Sequence, residues 1–265
     1  MAMIHDRVSL EFRQHIAVVS LNRPDKYNGL DLDMMQGLLE AARRIRHRRE
    51  LRAVIVQGEG AAFCAGLDFA SVTRQPRRIL AAFLPWLRKD NRFQRVCLAW
   101  RDLPMPVIAA TQGYCFGGGL QLALGCDFRI STPDCEFSIM EIEWGLVPDM
   151  GASVTLRDLV PVDVAMELAM TGRRFSAAEA LDLHLITAID STPQAAAMRL
   201  AEIIAGRSPD AVAAIKSLFR ETRQGSERRA LRRERYLQAR LLLGSNQREA
   251  MRAKFDKRDP VFRPR

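Results

Sequence analysis

None of the five cysteines, Cys64, Cys97, Cys115, Cys126 and Cys135, stands in a CxxC pair, and an odd number cannot all be bridged within one chain. Their neighbours are small and apolar, which predicts buried free thiols of a reducing compartment rather than a disulfide framework. None has an evident histidine partner, so a thiol nucleophile would lack its base, and no metal site is expected. Long uninterrupted apolar runs are missing too. The opening MAMIHDRVSL has neither an apolar h-region nor an arginine-rich amphipathic pattern, so no secretory or transit peptide is expected and a cytoplasmic location is. Between Asp102 and Asp127 no side chain is charged, yet prolines 104 and 106 and glycines 113, 117, 118, 119 and 125 break the stretch, which argues against a membrane span. Lysine occurs only at 26, 89, 216, 254 and 257, the other cations being arginine throughout. Aromatics make up 7% and do not interleave with the basic residues, as the stacking surface of a nucleic-acid binder would require.

What is present is the composition of a globular protein, 48% hydrophobic and 27% charged over 265 residues, enough for one substantial core. A net charge of +9 favours an anionic partner, whether nucleic acid, an acidic membrane face or a phosphorylated ligand. RRIRHRRE, residues 43–50, reads most simply as the solvated end of a helix. Val8, Leu10 and Phe12 alternate with polar residues, and Ile16 and Val18 follow, which predicts a strand pair. Asp31 then precedes a helical pattern through Leu38, Leu39, Ala42 and Ile45. AVIVQ (53–57) and PVIAATQG (106–113) are short apolar runs of the kind buried on both faces of a sheet, and 128–131 and 136–139 are further strand candidates. Strands alternating with helical stretches give an α/β fold. From about Thr171 the pattern turns helical: SAAE (176–179) is a capping box, and Ser208 with Pro209 starts another helix. A core over residues 1–200 and a helical region over 201–265 is the expected division.

The densest cluster of glycine is GYCFGGG, residues 113–119, which runs directly into an apolar helical pattern. Glycines at a helix start let an anionic atom approach unpaired backbone N–H groups with no Cβ in the way. A phosphate loop would need a lysine and a hydroxyl residue after Gly119, and neither is there; the GxGxxG spacing is also absent. A close helix-on-strand contact explains small residues equally well. A second segment, AAFCAGLD (61–68), follows AVIVQ just as the glycine run follows PVIAATQG. Two strand ends that each deliver a glycine-flanked amide are what a two-donor oxyanion hole requires.

With these residues the chain resembles the crotonase family of enoyl-CoA hydratases and isomerases. LNRPDKYNGLD, AFCAGLD, PVIAATQGYCFGGG, LALGCDFRIS, GLVPDMG, ELAMTGRRFSAAEALDLHLI and DKRDPVF occur in that family's order over nearly the whole chain. The resemblance implies a spiral β/β/α core, a C-terminal helical trimerisation region, a homotrimer or homohexamer, and an acyl-CoA thioester as substrate, with no cofactor beyond the coenzyme A that the substrate carries. It places the oxyanion-hole amides on Leu67 and Gly118, with Ala65, Asp68 and Gly117 against the substrate. It also puts Lys257 of a neighbouring subunit near the CoA phosphates.

The family's hydratases use two glutamates to move the protons of a water. The first position is Gln121 here, and an amide orients a water or a carbonyl but exchanges no proton at neutral pH. The second is Glu141; neighbouring Glu143 reads as a solvated partner. Eight residues on comes Asp149, which resembles the aspartate of the dienoyl-CoA isomerases, although after Pro148 it also suits a turn. Those isomerases carry an acid where Gln121 stands. Two separated carboxylates suffice to take a proton from one carbon and return one to another. The expectation is therefore an enoyl- or dienoyl-CoA double-bond isomerase using Glu141, Asp149 and Gln121, with enoyl-CoA hydratase as the alternative. A nucleic-acid binder or a CoA-binding scaffold without chemistry is the rival from another class. Residues 77–93 carry Ile79, Phe83, Trp86 and Leu87 at helical spacing around Pro85, which fits an acyl-chain cover or an ordinary core or interface helix.

Overall fold

The computed structural model describes residues 2–83 and 89–265, and of Phe83 its backbone. Pro85, Trp86 and Leu87 of the expected acyl cover lie outside the described residues. The strands are β1 (Ala2–Ile4), β2 (Val8–Arg13), β3 (Ile16–Leu21), β4 (Ala53–Gly58), β5 (Val107–Thr111), β6 (Tyr114–Phe116), β7 (Phe128–Ser131), β8 (Glu136–Ser138), β9 (Arg174–Ser176) and β10 (Ala188–Ile189). The helices are α1 (Leu32–Arg46), α2 (Phe69–Val72), α3 (Pro76–Phe83), α4 (Arg92–Arg101), α5 (Gly118–Leu124), α6 (Ala152–Thr155), α7 (Val162–Thr171), α8 (Ala177–Asp182), α9 (Pro193–Ala205), α10 (Pro209–Thr222), α11 (Glu227–Leu242) and α12 (Ser245–Phe255).

The main sheet has the order β1-β2-β3-β4-β5-β7-β10, antiparallel as far as β3 and parallel from β3 onward. Its central strands are buried on both faces, and their period of two sorts side chains between two layers. Val54, Val56, Val107 and Ala109 face the large core with Met34, Leu38, Trp100 and Leu120. Ala53, Ile55, Ile108 and Ala110 face α9 through Ala197 and Ala201. A second sheet, β6-β8-β9, stands after the first, and α5 leaves its first strand with all seven residues buried. This is the expected α/β architecture.

Three local expectations meet a different outcome. The region beyond Thr171 is not wholly helical: Phe175 pairs with Phe137 across β8 and β9, and Ala188 pairs with Ile130. Strands this short bury too few alternating residues to leave a pattern. The serine half of the 176–179 capping box forms, with Ser176 Oγ accepting from the Glu179 N–H at 3.2 Å, but the Glu179 carboxylate is held by Arg173 at 2.6 Å. A reciprocal box does occur at α4, between Asn91 and Gln94. The division at residue 200 falls inside α9, one continuous helix from Pro193 to Ala205 whose buried Ala197 and Ala201 belong to the core.

Candidate active site

Residues 62–68 run between the Leu30 loop and β6. On one side Cys64 N–H donates to Tyr114 O (3.0 Å) and Cys64 O accepts from Phe116 N–H (3.0 Å). On the other, Ala65 N–H donates to Tyr27 O (2.9 Å), Gly66 O accepts from Leu30 N–H (2.8 Å), and Asp68 N–H donates to Leu30 O (3.1 Å). Successive amides of an extended chain alternate sides. Cys64 and Leu67 are three residues apart, so an unbroken strand would turn the Leu67 N–H toward Leu30. Gly66, at φ +95°, shifts the alternation by one residue. Residues 66 and 68 both pair with Leu30, and the Leu67 N–H faces the side occupied by the glycine run. A Cβ on Gly66 would lie 3.7 Å from the Gly118 nitrogen, which measures how close the two loops come. Among the described residues neither the Leu67 nor the Gly118 N–H has a backbone acceptor.

The three successive glycines 117, 118 and 119 do different things. Gly117 takes φ +48°, its N–H donating to Ser138 O at 2.9 Å, and a Cβ there would come within 3.3 Å of Glu141 Oε1. Gly118 opens α5 beneath Met150 and Leu30. Gly119 is the packing glycine: a Cβ would sit 2.5 Å from Cys64 O.

Glu141 follows β8 at the start of a 3₁₀ turn, residues 141–144. Its Oε1 accepts from Gln121 Nε2 at 2.6 Å, while its Oε2 is buried with no partner among the described residues. Burial lifts its carboxyl above the ordinary 4.5, opposed by its own backbone N–H and the Gln121 amide, and the Asp149 charge adds to the rise. Asp149 is also lifted by burial. Its own backbone N–H opposes that rise, and among the described residues the carboxylate forms no ion pair. The amides of Met150 and Ala152 just beyond it go to Gln121 Oε1, at 2.9 and 3.2 Å.

Gln121 is buried and held at both ends by the protein. Two backbone donors require its oxygen on one side, which aims the amide nitrogen at Glu141. It therefore ties Glu141 to the turn that carries Asp149. Asp68, placed by the resemblance at the substrate, accepts from Arg23 Nη1 at 2.7 Å and from Ser71 N–H at 3.0 Å. Burial opposes its ionisation, but Arg23 and the Ser71 amide hold it below the usual aspartate range. Ala65 and Leu67 are half-buried, Glu143 is exposed, and Lys257 is exposed in left-handed backbone just beyond α12.

Several residues at the site carried no signal in the sequence. Arg23 is one of many arginines. Asn28, at φ +56°, is buried and donates to Glu59 O and Ala62 O, a role suggested only by its turn-rich setting. Trp144 stacks on Phe69 at 4.2 Å between ring centres, joining the turn after Glu141 to α2 beyond Leu67. All five cysteines are free and buried, and burial pushes the thiols up, Cys64 and Cys126 to about 12 and Cys135 to about 11. They are poor nucleophiles. An apolar hollow of about 440 Å³ near Leu124, Ile215 and Phe219 contains none of the site residues. Among the described residues no helix is long and apolar enough to cross a membrane, and no group of three or more His, Cys, Asp or Glu could hold a metal ion.

The succession of a spiral of sheets, two amide-bearing loops and a C-terminal run of helices is the crotonase type of fold. The chain belongs to the enoyl-CoA hydratase/isomerase family, whose model matches residues 11–265. It is 33% identical over 258 residues to the enoyl-CoA hydratase EchA19 of Mycobacterium tuberculosis, covering 97% of this chain and 96% of that protein. It is 32% identical to the peroxisomal Delta(3,5)-Delta(2,4)-dienoyl-CoA isomerase of Arabidopsis thaliana, over 91% of this chain and 90% of that protein. Among solved structures, the enoyl-CoA hydratase of Bacillus anthracis superimposes with a TM-score of 0.88 at 29% identity, covering 97% of this chain and 98% of that one.

Proposed function

We propose that the protein is an acyl-CoA isomerase that moves a double bond within an enoyl- or dienoyl-CoA. The Leu67 and Gly118 amides would hold the thioester oxygen, and Glu141 and Asp149 would carry protons between two carbons of the acyl chain. Removing a proton near a thioester puts charge on the carbonyl oxygen, so donors aimed there favour the transition state over the ground state. The observation that carries the reading is the pair of carboxyls: Glu141 and Asp149 both lack a cationic partner among the described residues, both are raised by burial, and a non-titrating amide separates them. An acid lifted toward neutrality can both accept and return a proton.

The second reading, enoyl-CoA hydratase, is favoured by the kinship with EchA19 and with the (E)-benzylidenesuccinyl-CoA hydratase of Thauera aromatica, 34% identical over 79% of this chain. Against it stands Gln121, whose amide holds no exchangeable catalytic proton and whose two ends are already engaged. Purified protein offered a 2-enoyl-CoA and a 3,5-dienoyl-CoA in parallel separates the two. Conversion of the dienoyl ester without water uptake is expected; efficient hydration with no dienoyl turnover would overturn the isomerase reading.

The proposal extends to the assembly. The helices α10–α12 would form the association surface of a homotrimer or homohexamer in the cytoplasm, with Lys257 reaching a neighbour's CoA phosphates. Phe219, Leu243 and Phe255, 70%, 80% and 79% exposed on the single chain, support such a surface. Proton transfer within the substrate calls for no cofactor beyond coenzyme A itself.

A further inference from the structure

Arg23 sits in the loop between β3 and α1, with its side chain 15% exposed. Its Nη1 donates to Asp68 Oδ2 at 2.7 Å and to Gly29 O at 3.2 Å, and lies 3.7 Å from Asp31 Oδ2. Asp31 caps α1 through the Met34 N–H and also accepts from Arg7. Asp68 caps α2 through the Ser71 N–H. The Arg23 backbone N–H donates to Asn28 Oδ1, and Asn28 Nδ2 holds Glu59 O and Ala62 O. One guanidinium thus joins the starts of two helices to the loop of residues 22–31.

Leu67 is the residue between the two clamped positions. Gly66 is fixed by its bond to Leu30 and its left-handed backbone. Asp68 is fixed by Leu30 through its main chain and by Arg23 through its side chain. The direction of the intervening N–H follows from those two anchors, and neither side chain need touch the substrate. We propose that Arg23 and Asp68 are positioning residues that aim the Leu67 amide at the thioester oxygen, acting through their ion pair. The proposal rests on the reading of Leu67 and Gly118 as the oxyanion donors.

Misaiming a donor matters most when charge has gathered on the oxygen. Arg23→Gln and Asp68→Asn should each lower kcat about 10- to 100-fold while KM changes less than about threefold. The double variant should lose little more than either single one, because the two residues act as a unit. The direct readout is the carbonyl stretch of bound 2-enoyl-CoA labelled with carbon-13 at the thioester carbon, followed by difference infrared spectroscopy. In the native protein the band should move to lower frequency on binding, and in Arg23→Gln that movement should shrink. A Tm measured on each variant checks folding, and Arg23→Lys, which keeps the charge but loses the rigid planar head that places Nη1 between Asp68 and Gly29, should be intermediate. A native shift that persists unchanged in the folded variants overturns the positioning role and leaves the oxyanion reading standing. Absence of any shift in the native protein overturns the oxyanion reading, and the positioning role with it.

Discussion

At the scale of single residues, the raised carboxyls make a linked prediction for activity and stability. Glu141→Gln should lower turnover by about 10²–10⁴-fold if the carboxylate moves the proton. For stability, the folded state binds the Glu141 proton more tightly than the unfolded chain does. Between the ordinary 4.5 and the raised value, unfolding releases that proton, and native stability falls as pH rises through the window. Above it the native protein carries the whole burden of a buried carboxylate and Glu141→Gln does not. Melting temperature against pH should therefore show the inactive variant gaining on the native protein as pH rises from near 4.5, and Asp149→Asn should do the same from near 3.8. The glycines give a contrast in sterics. Gly119→Ala drives a methyl to 2.5 Å from Cys64 O and should cost about 3 kcal/mol in a denaturant titration. Gly145→Ala meets nothing within 4 Å but must hold φ +68°, at about 1 kcal/mol. Glu141 and the glycine run were legible because motif and residue type announce them. The job of Gln121 was not, since two of its three partners are main-chain N–H groups about thirty positions away.

At the scale of elements, α10 shows how a helix of the C-terminal region is fastened to the core. Lys216, Arg220 and Arg223 lie at successive turns of one face and reach Asp127, Asp102 and Asp158 respectively. Lys216, with its side chain only 10% exposed, also donates to Met105 O at 3.0 Å. Lys216→Met leaves the half-buried Asp127 without its cation, and chemical denaturation should register a loss of about 3 kcal/mol. The cap of α8 is a smaller case: Ser176→Ala should cost about 1 kcal/mol. Glu179→Ala, which loses only a half-exposed pair with Arg173, should cost about 0.5 kcal/mol or less. Elements with a clear period, such as α1, or an unbroken apolar run, such as β4 and β5, stood out in the sequence because each buries one whole face or both. The two-residue β10 and three-residue β9 did not, because their pairing is dictated by the neighbouring strand rather than by their own alternation.

At the scale of the whole molecule, if α12 lies in the association surface of the proposed trimer or hexamer, Phe255→Glu should reduce the mass measured by light scattering toward that of one chain. The division of the chain was the least legible feature, because α9 runs unbroken through residue 200 and the residues it buries fully against the sheet, Ala197 and Ala201, are alanines that mark no boundary. The sealed thiols carry a practical consequence. With five sulfhydryls shut away and reluctant to ionise, an alkylating reagent can react only when the chain opens. Cys64 lies in the segment that bears Leu67, packed against Gly119, so its labelling rate clocks the breathing of that segment without any probe being engineered in, and a tightly held ligand should slow the clock.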